Sequence, residues 1–152
     1  MKRKERQNLR FVLRYLLEEK ESSFDVAMAI DVFEHVEDYI GFLRNFRPKG
    51  RYKVFHIPLD LSVQFVLRGS SLLAGRKMVG HIHYFTKETA LATLNDSGYQ
   101  VIDYAYTNIS LDFHRYGWKN RLMRLPRKIL FAIHKDIAVK ILGGFSLLVL
   151  AE

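Results

Sequence analysis

Apolar residues run without interruption from Val26 to Ile30 in "FDVAMAID", with Asp25 and Asp31 at the two ends. A continuous apolar run of this length predicts a strand buried on both faces, as in a parallel sheet. The period then changes. In "VEDYIGFLRNF" the apolar positions Val36, Tyr39, Ile40, Leu43 and Phe46 recur at helical spacing, and Pro48 and Gly50 stop the pattern. "YKVFHIPL" reads as a second strand, closed by Pro58. Strand, helix and strand within about 35 residues make a βαβ unit with a right-handed crossover.

Beyond Pro58, "DLSVQFVLRG" predicts a short helix and "SSLLAGRKMVGHIHYF" a loop. "TKETALATLNDSGY" predicts a clear helix: Thr86 caps it, Glu88 suits its positive end, Ala90, Leu91 and Leu94 face the core, and Gly98 ends it. "YQVIDYAYT" is a strand by its β-branched and aromatic content. The basic segment that follows is mostly helical, broken at Pro126, and "GGFSLLVLAE" is a final strand whose apolar character implies burial. Leu9, Val12, Leu13, Leu16 and Leu17 fit a helix near the N-terminus, yet "LRFVLRY" also alternates as a strand does, and periodicity leaves both open.

The 152 residues make one domain, 49% hydrophobic and 26% charged, which is globular composition. No apolar stretch approaches the ~20 residues of a membrane span. The basic N-terminus has no signal-peptide core behind it, so a cytoplasmic location is expected. The absence of cysteine excludes disulfides, zinc-thiolate centres and thiol nucleophiles. The net charge of +8 is concentrated in an ambiguous basic segment, residues 1–23, and in "RYGWKNRLMRLPRK", within a basic helical insertion at residues 108–144. Tyr116 and Trp118 give that insertion the character of a surface binder, but charge alone favours no nucleic-acid or membrane partner over a solvated surface.

Three stretches, "FDVAMAIDVFEHVEDYIGFLRNFRPKGRYKVFHIPL", "HIHYFTKETALATLNDSGYQVIDYAYT" and "GGFSLLVLAE", resemble in order and spacing the class I S-adenosylmethionine-dependent methyltransferases. The resemblance implies an α/β fold: a partial Rossmann-like methyltransferase sheet, mostly parallel with an antiparallel last strand, and helices on both faces. In that family seven strands lie in the order 3-2-1-4-5-7-6. Phe24 to Asp31 corresponds to strand 4, Tyr52 to Leu59 to strand 5, Gln100 to Thr107 to strand 6 and Phe145 to Ala151 to strand 7, with "LRFVLRY" similar to strand 3. The family's acidic residue near the adenine is replaced there by Arg14 and Tyr15. The glycine-rich turn after strand 1 is absent, since the chain has no G-x-G-x-G, so it reads as the truncated back two-thirds of a methyltransferase. Strand 4 is then expected to be covered along its edge by the N-terminal segment or by a second copy of the chain, a homodimer.

Ligands of open α/β sheets sit outside the carboxyl ends of the parallel strands. The resemblance places Asp31, Val32, Phe33 and Glu34 there as contacts to S-adenosylmethionine, and makes His35 a candidate general base. The plain alternative is that Glu34 caps the following helix and His35 packs on the sheet. His81, His83 and Tyr84 are expected near a small-molecule substrate, and His56 as a structural histidine; His114 and His134 carry no argument. Asp31, Glu34 and His35 also match the acidic-x-x-Glu-His pattern with which some family members hold Mg²⁺ or Mn²⁺, although no metal is the favoured reading. The implied activity is methyl transfer to a small-molecule or other nucleophile, impaired by the missing cofactor-binding half. A non-catalytic association module is the second reading, and a basic nucleic-acid or membrane-surface binder the third.

Overall fold

The sheet is organised around its last strand. A computed structural model describes residues 16–18, 24–107 and 124–152, without the side chains of residues 124–126. The strands β1 (Phe24–Ile30), β2 (Gly50–Pro58), β3 (Val101–Thr107) and β4 (Ser146–Ala151) pair in the order β1-β2-β4-β3. β1 and β2 are parallel, and β4 is antiparallel to both β2 and β3. β1, β2 and β3 therefore point one way and β4 the other, which is the order and sense implied for strands 4, 5, 7 and 6.

The helices α1 (Tyr39–Phe46), α2 (Val63–Arg68), α3 (Ser70–Val79), α4 (Lys87–Asp96), α5 (Arg124–Ile133) and α6 (Lys135–Leu142) fill the connections. Asp38 caps α1 by accepting the Gly41 N–H at 2.8 Å, so the cap is not Glu34. α4 follows its sequence signals closely. The Thr86 hydroxyl accepts the Thr89 N–H at 3.2 Å, the Thr89 hydroxyl accepts the Thr86 N–H at 2.9 Å, and Ala90 and Leu94 are buried. α3 corrects the expectation of a loop over "SSLLAGRKMVGHIHYF". None of its residues is buried, so no apolar stripe advertised it. Gly69 (φ 58°) separates it from α2, and Gly80 (φ 80°) closes it in the left-handed conformation that glycine adopts without strain. The break in the basic helical stretch comes at His134, with Pro126 inside the first turn of α5, where a missing N–H breaks no intrahelical bond.

One core joins these elements. Ala27 and Ala29 of β1, Phe55 and Ile57 of β2, and Leu147, Val149 and Ala151 of β4 lie on the same face, against Leu43 and Phe46 of α1, Ala90 and Leu94 of α4 and Val139 of α6. The opposite face differs from expectation. Val26, Met28 and Ile30 of β1 are exposed, Met28 to 61%, and so are Leu148 and Leu150 of β4. Both strands are buried on one face rather than two: among the described residues, α1, α4 and α6 pack on the Ala27–Phe55 side. β1 also has a single neighbour, β2, leaving its other edge free among those residues. The segment expected to cover that edge, including "LRFVLRY" with Arg14 and Tyr15, lies outside the described residues. Only Leu16–Glu18 are described there, as a 3₁₀ turn with Leu16 and Leu17 against the core. Tyr116 and Trp118 lie outside them as well. No described helix is long and apolar enough to cross a membrane.

Lys53 is an unexpected member of the buried face, 4% exposed between its register partners Ala27 and Ala151. Its ammonium donates to the Arg51 carbonyl at 3.3 Å. Burial, and secondly the Arg47 guanidinium, hold it below the usual lysine range. The folded state therefore releases this proton before the unfolded state does. Stability should rise with pH from the depressed folded value up to ~10.4. Lys53→Met is expected to add about 1 kcal/mol at neutral pH and to flatten that rise. Urea denaturation across the alkaline range checks it; a slope equal to that of the wild type would rule it out.

Candidate functional site

The carboxyl end of β1 is where the sequence placed a site, and the backbone there is unusual. Asp31 has φ 50°, the left-handed region, and is the one non-glycine residue with positive φ among those described. Strain of this kind costs of order 1 kcal/mol and persists only when neighbours hold it. Two bonds to β2 do so. The Asp31 N–H donates to the His56 carbonyl at 3.0 Å, and the His56 Nδ1 donates to Asp31 Oδ1 at 2.6 Å. His56 Nε2 in turn meets the Thr107 hydroxyl at 2.8 Å on β3. His56 is hydrogen-bonded within the sheet, as a structural histidine is, and it also ties Asp31 to two strands. The Asp31 carboxylate stays 41% exposed, open to a ligand.

The chain then divides into exposed and buried positions. Val32 is half-buried. Phe33 is fully buried, its ring 5.3 Å from that of Phe85 and 6.2 Å from that of Phe55, so its side chain belongs to the core. Glu34 is fully buried too, and neither carboxylate oxygen has a hydrogen-bond partner among the described residues. Burial pushes its carboxyl above the usual range, and the nearby Asp31 charge adds to this; its own backbone and the two histidines His35 and His81 pull the other way. Of the four expected cofactor contacts, Asp31 and Val32 are accessible.

The second cluster, 81–84, is brought onto this loop by backbone bonds. The Glu34 carbonyl accepts from Ile82 at 3.0 Å and from His83 at 3.1 Å. His35 Nδ1 donates to the Gly80 carbonyl at 3.1 Å, and the His35 and His81 rings meet edge to face at 4.9 Å. His81 Nδ1 donates to Asp60 Oδ2 at 2.6 Å. His83 Nε2 donates to the Val36 carbonyl at 2.9 Å and stacks near Tyr39, while the Tyr84 hydroxyl donates to the Leu72 carbonyl at 3.1 Å. The structure thus joins the two sequence-predicted clusters into one. It pairs Glu34 and His35 with His81, and sends Asp31 to His56 instead. Asp60 and Thr107 were missed; a carboxylate after a strand-closing proline and a threonine at a strand end give no signal by themselves. A separate apolar cavity of about 370 Å³ is walled by Leu61, Val63, Val66 and Leu67 beside the Glu88–Lys140 pair, and contains none of the expected site residues.

No protein-family model and no curated protein sequence matches this chain. Solved structures do. A "putative methyltransferase" of Bacillus halodurans superposes with a TM-score of 0.57 at 12% identity, over 96% of this chain and 72% of its own. A SAM-dependent methyltransferase of Archaeoglobus fulgidus gives 0.52 at 15% identity, over 92% and 66%. A SAM-dependent methyltransferase of Thermotoga maritima gives 0.56 at 14% identity, over 93% and 63%. The chain thus spans about two thirds of the length of the structures it matches, and at these identities the likeness is one of fold.

Proposed function

We propose that this chain, whose fold is that of the class I SAM-dependent methyltransferases, carries the part of a methyl-transfer site formed at the carboxyl ends of β1 and β2. The observation that carries the reading is Asp31: an exposed carboxylate in a strained conformation, fixed by His56 at the place in the sheet where such folds bind ligands. The donor set fits S-adenosylmethionine in part. A carboxylate complements the cofactor's cationic amine and sulfonium, whereas the glycine-rich turn that would approach its other end is absent from the sequence. When bound, the cofactor supplies an activated methyl group for in-line transfer to an O, N or C nucleophile. Asp31 and Val32 would position it, and His35, half-open to solvent with Nδ1 engaged by Gly80, would offer Nε2 as proton acceptor. The acceptor would be a small molecule or another nucleophile entering past His81 and His83.

Because the sequence has no glycine-rich turn, affinity of this chain for S-adenosylhomocysteine is expected to be weak, with a dissociation constant on the order of 1 mM. Amide resonances of Asp31 to His35 should move during a titration, and Asp31→Asn should reduce the effect. A titration that leaves those amides unmoved at saturating ligand defeats the reading.

A second reading is favoured by the β1 edge, unpaired among the described residues, and the exposed Val26, Met28 and Ile30 beside it. An uncovered apolar edge strand is a template for pairing with another chain. The same fold would then serve association, as a homodimer joined through β1.

A further inference from the structure

We infer that Glu34, His35 and His81 form a binding site for a divalent metal ion of the zinc class. Each of the three offers one ligand atom, and these atoms lie within 4.8 Å of one another. Ligand atoms around a tetrahedral ion sit roughly 3.3 Å apart, given metal–ligand distances of ~2.0–2.1 Å. A contraction of up to about 1.5 Å, within the reach of side-chain rotation, closes the set. His35 Nε2 already stands 3.8 Å from Glu34 Oε1.

Three independent features point to a cation rather than to a loose polar cluster. The first is the Glu34 carboxylate. It is fully buried, neither oxygen has a hydrogen-bond partner among the described residues, and His35 is too distant to satisfy it by hydrogen bonding. A carboxylate in that state is costly to keep, and a metal ion removes the cost. The second is the orientation of the imidazoles. Both use Nδ1 as a donor, His35 to the Gly80 carbonyl and His81 to Asp60 Oδ2, which leaves each Nε2 as the free lone pair. A carboxylate or carbonyl behind the ring nitrogen is the arrangement that fixes the tautomer of a metal-binding histidine. The third is the donor chemistry. Two imidazoles and one carboxylate suit zinc and its first-row neighbours better than Mg²⁺, which prefers oxygen. His35 lies at the solvent side, so a fourth position would open outward, as in sites that activate a bound water or hydroxyl.

The assignment differs from the acidic-x-x-Glu-His pattern in the sequence, because His81 replaces Asp31. It does not depend on methyl transfer. It does compete with the base role for His35, whose Nε2 would become a ligand.

The test uses the whole chain, stripped with a chelator, and zinc chloride as probe. Calorimetry should give one-to-one binding. Glu34→Gln and His81→Gln should each weaken it at least tenfold, and Asp31→Asn should leave it within about twofold. In the wild type, where no substitution can disturb folding, zinc should shift the ring resonances of His35 and His81 and leave those of His56 in place. Absence of saturable binding at about 100 µM zinc overturns the inference. So does an unshifted His81 ring, or a loss in Asp31→Asn equal to that in His81→Gln.

Discussion

Replacing Phe33 with alanine is expected to cost about 3–5 kcal/mol of folding stability, the range for deleting a fully buried aromatic ring. Phe33 is 0% exposed and meets three other rings: Tyr39 of α1, Phe55 of β2 and Phe85 before α4. No other residue of the 31–35 loop joins so many elements. For a chain of this length the loss corresponds to a fall in melting temperature of roughly 10–15 °C. Phe33→Leu, which keeps most of the volume, should cost about 1 kcal/mol. Urea denaturation of both variants provides the check. A cost for alanine under about 1 kcal/mol would mean that the ring is not held in this packing. The loop on either side carries Asp31 and Glu34, so ligand binding should fail together with stability in the alanine variant.

Met28→Lys is expected to raise the dissociation constant of a β1-mediated dimer about 100-fold, equivalent to roughly 2.7 kcal/mol. Met28 is the most exposed apolar residue of β1, flanked on the same face by Val26 and Ile30. Two copies pairing through identical strands would place Met28 near the two-fold axis, where a charge meets its own copy. Its side chain points away from the core, so stability of the monomer should be nearly unchanged. Sedimentation over a range of concentrations measures both proteins. If the wild type is a monomer at about 100 µM, the association reading is lost whatever the variant does.

The sequence made the order of elements legible and the environment of each much less so. The βαβ unit could be read because "FDVAMAID" and "VEDYIGFLRNF" switch period sharply, and α4 because Thr86 and Gly98 bracket it. A continuous apolar run such as "VAMAI" does not reveal whether one face or both will be covered, since that depends on helices elsewhere in the chain. α3 was illegible for the opposite reason. A helix with no buried residue has no stripe to show, and Gly75 in its middle argues against it. At the site, Asp31, Glu34 and His35 could be placed at a strand end from local pattern. That Asp31 would take His56, and that His81 would come to His35, depends on contacts 25 and 46 positions apart, the first a hydrogen bond and the second a ring contact. No spacing rule spans such distances.

The position of β4 has a consequence for how the molecule assembles during synthesis. β4 stands between β2 and β3, so residue 53 pairs with residue 151 and residue 101 with the same strand. Until β4 has left the ribosome, β1–β2 and β3 share no ladder, and both present unpaired edges. Strand pairing over such sequence separations is slow and leaves apolar surface open meanwhile. The nascent chain should therefore be most dependent on chaperones just before β4 emerges, and a change that weakens β4 should lower the yield of folded protein more than its equilibrium stability.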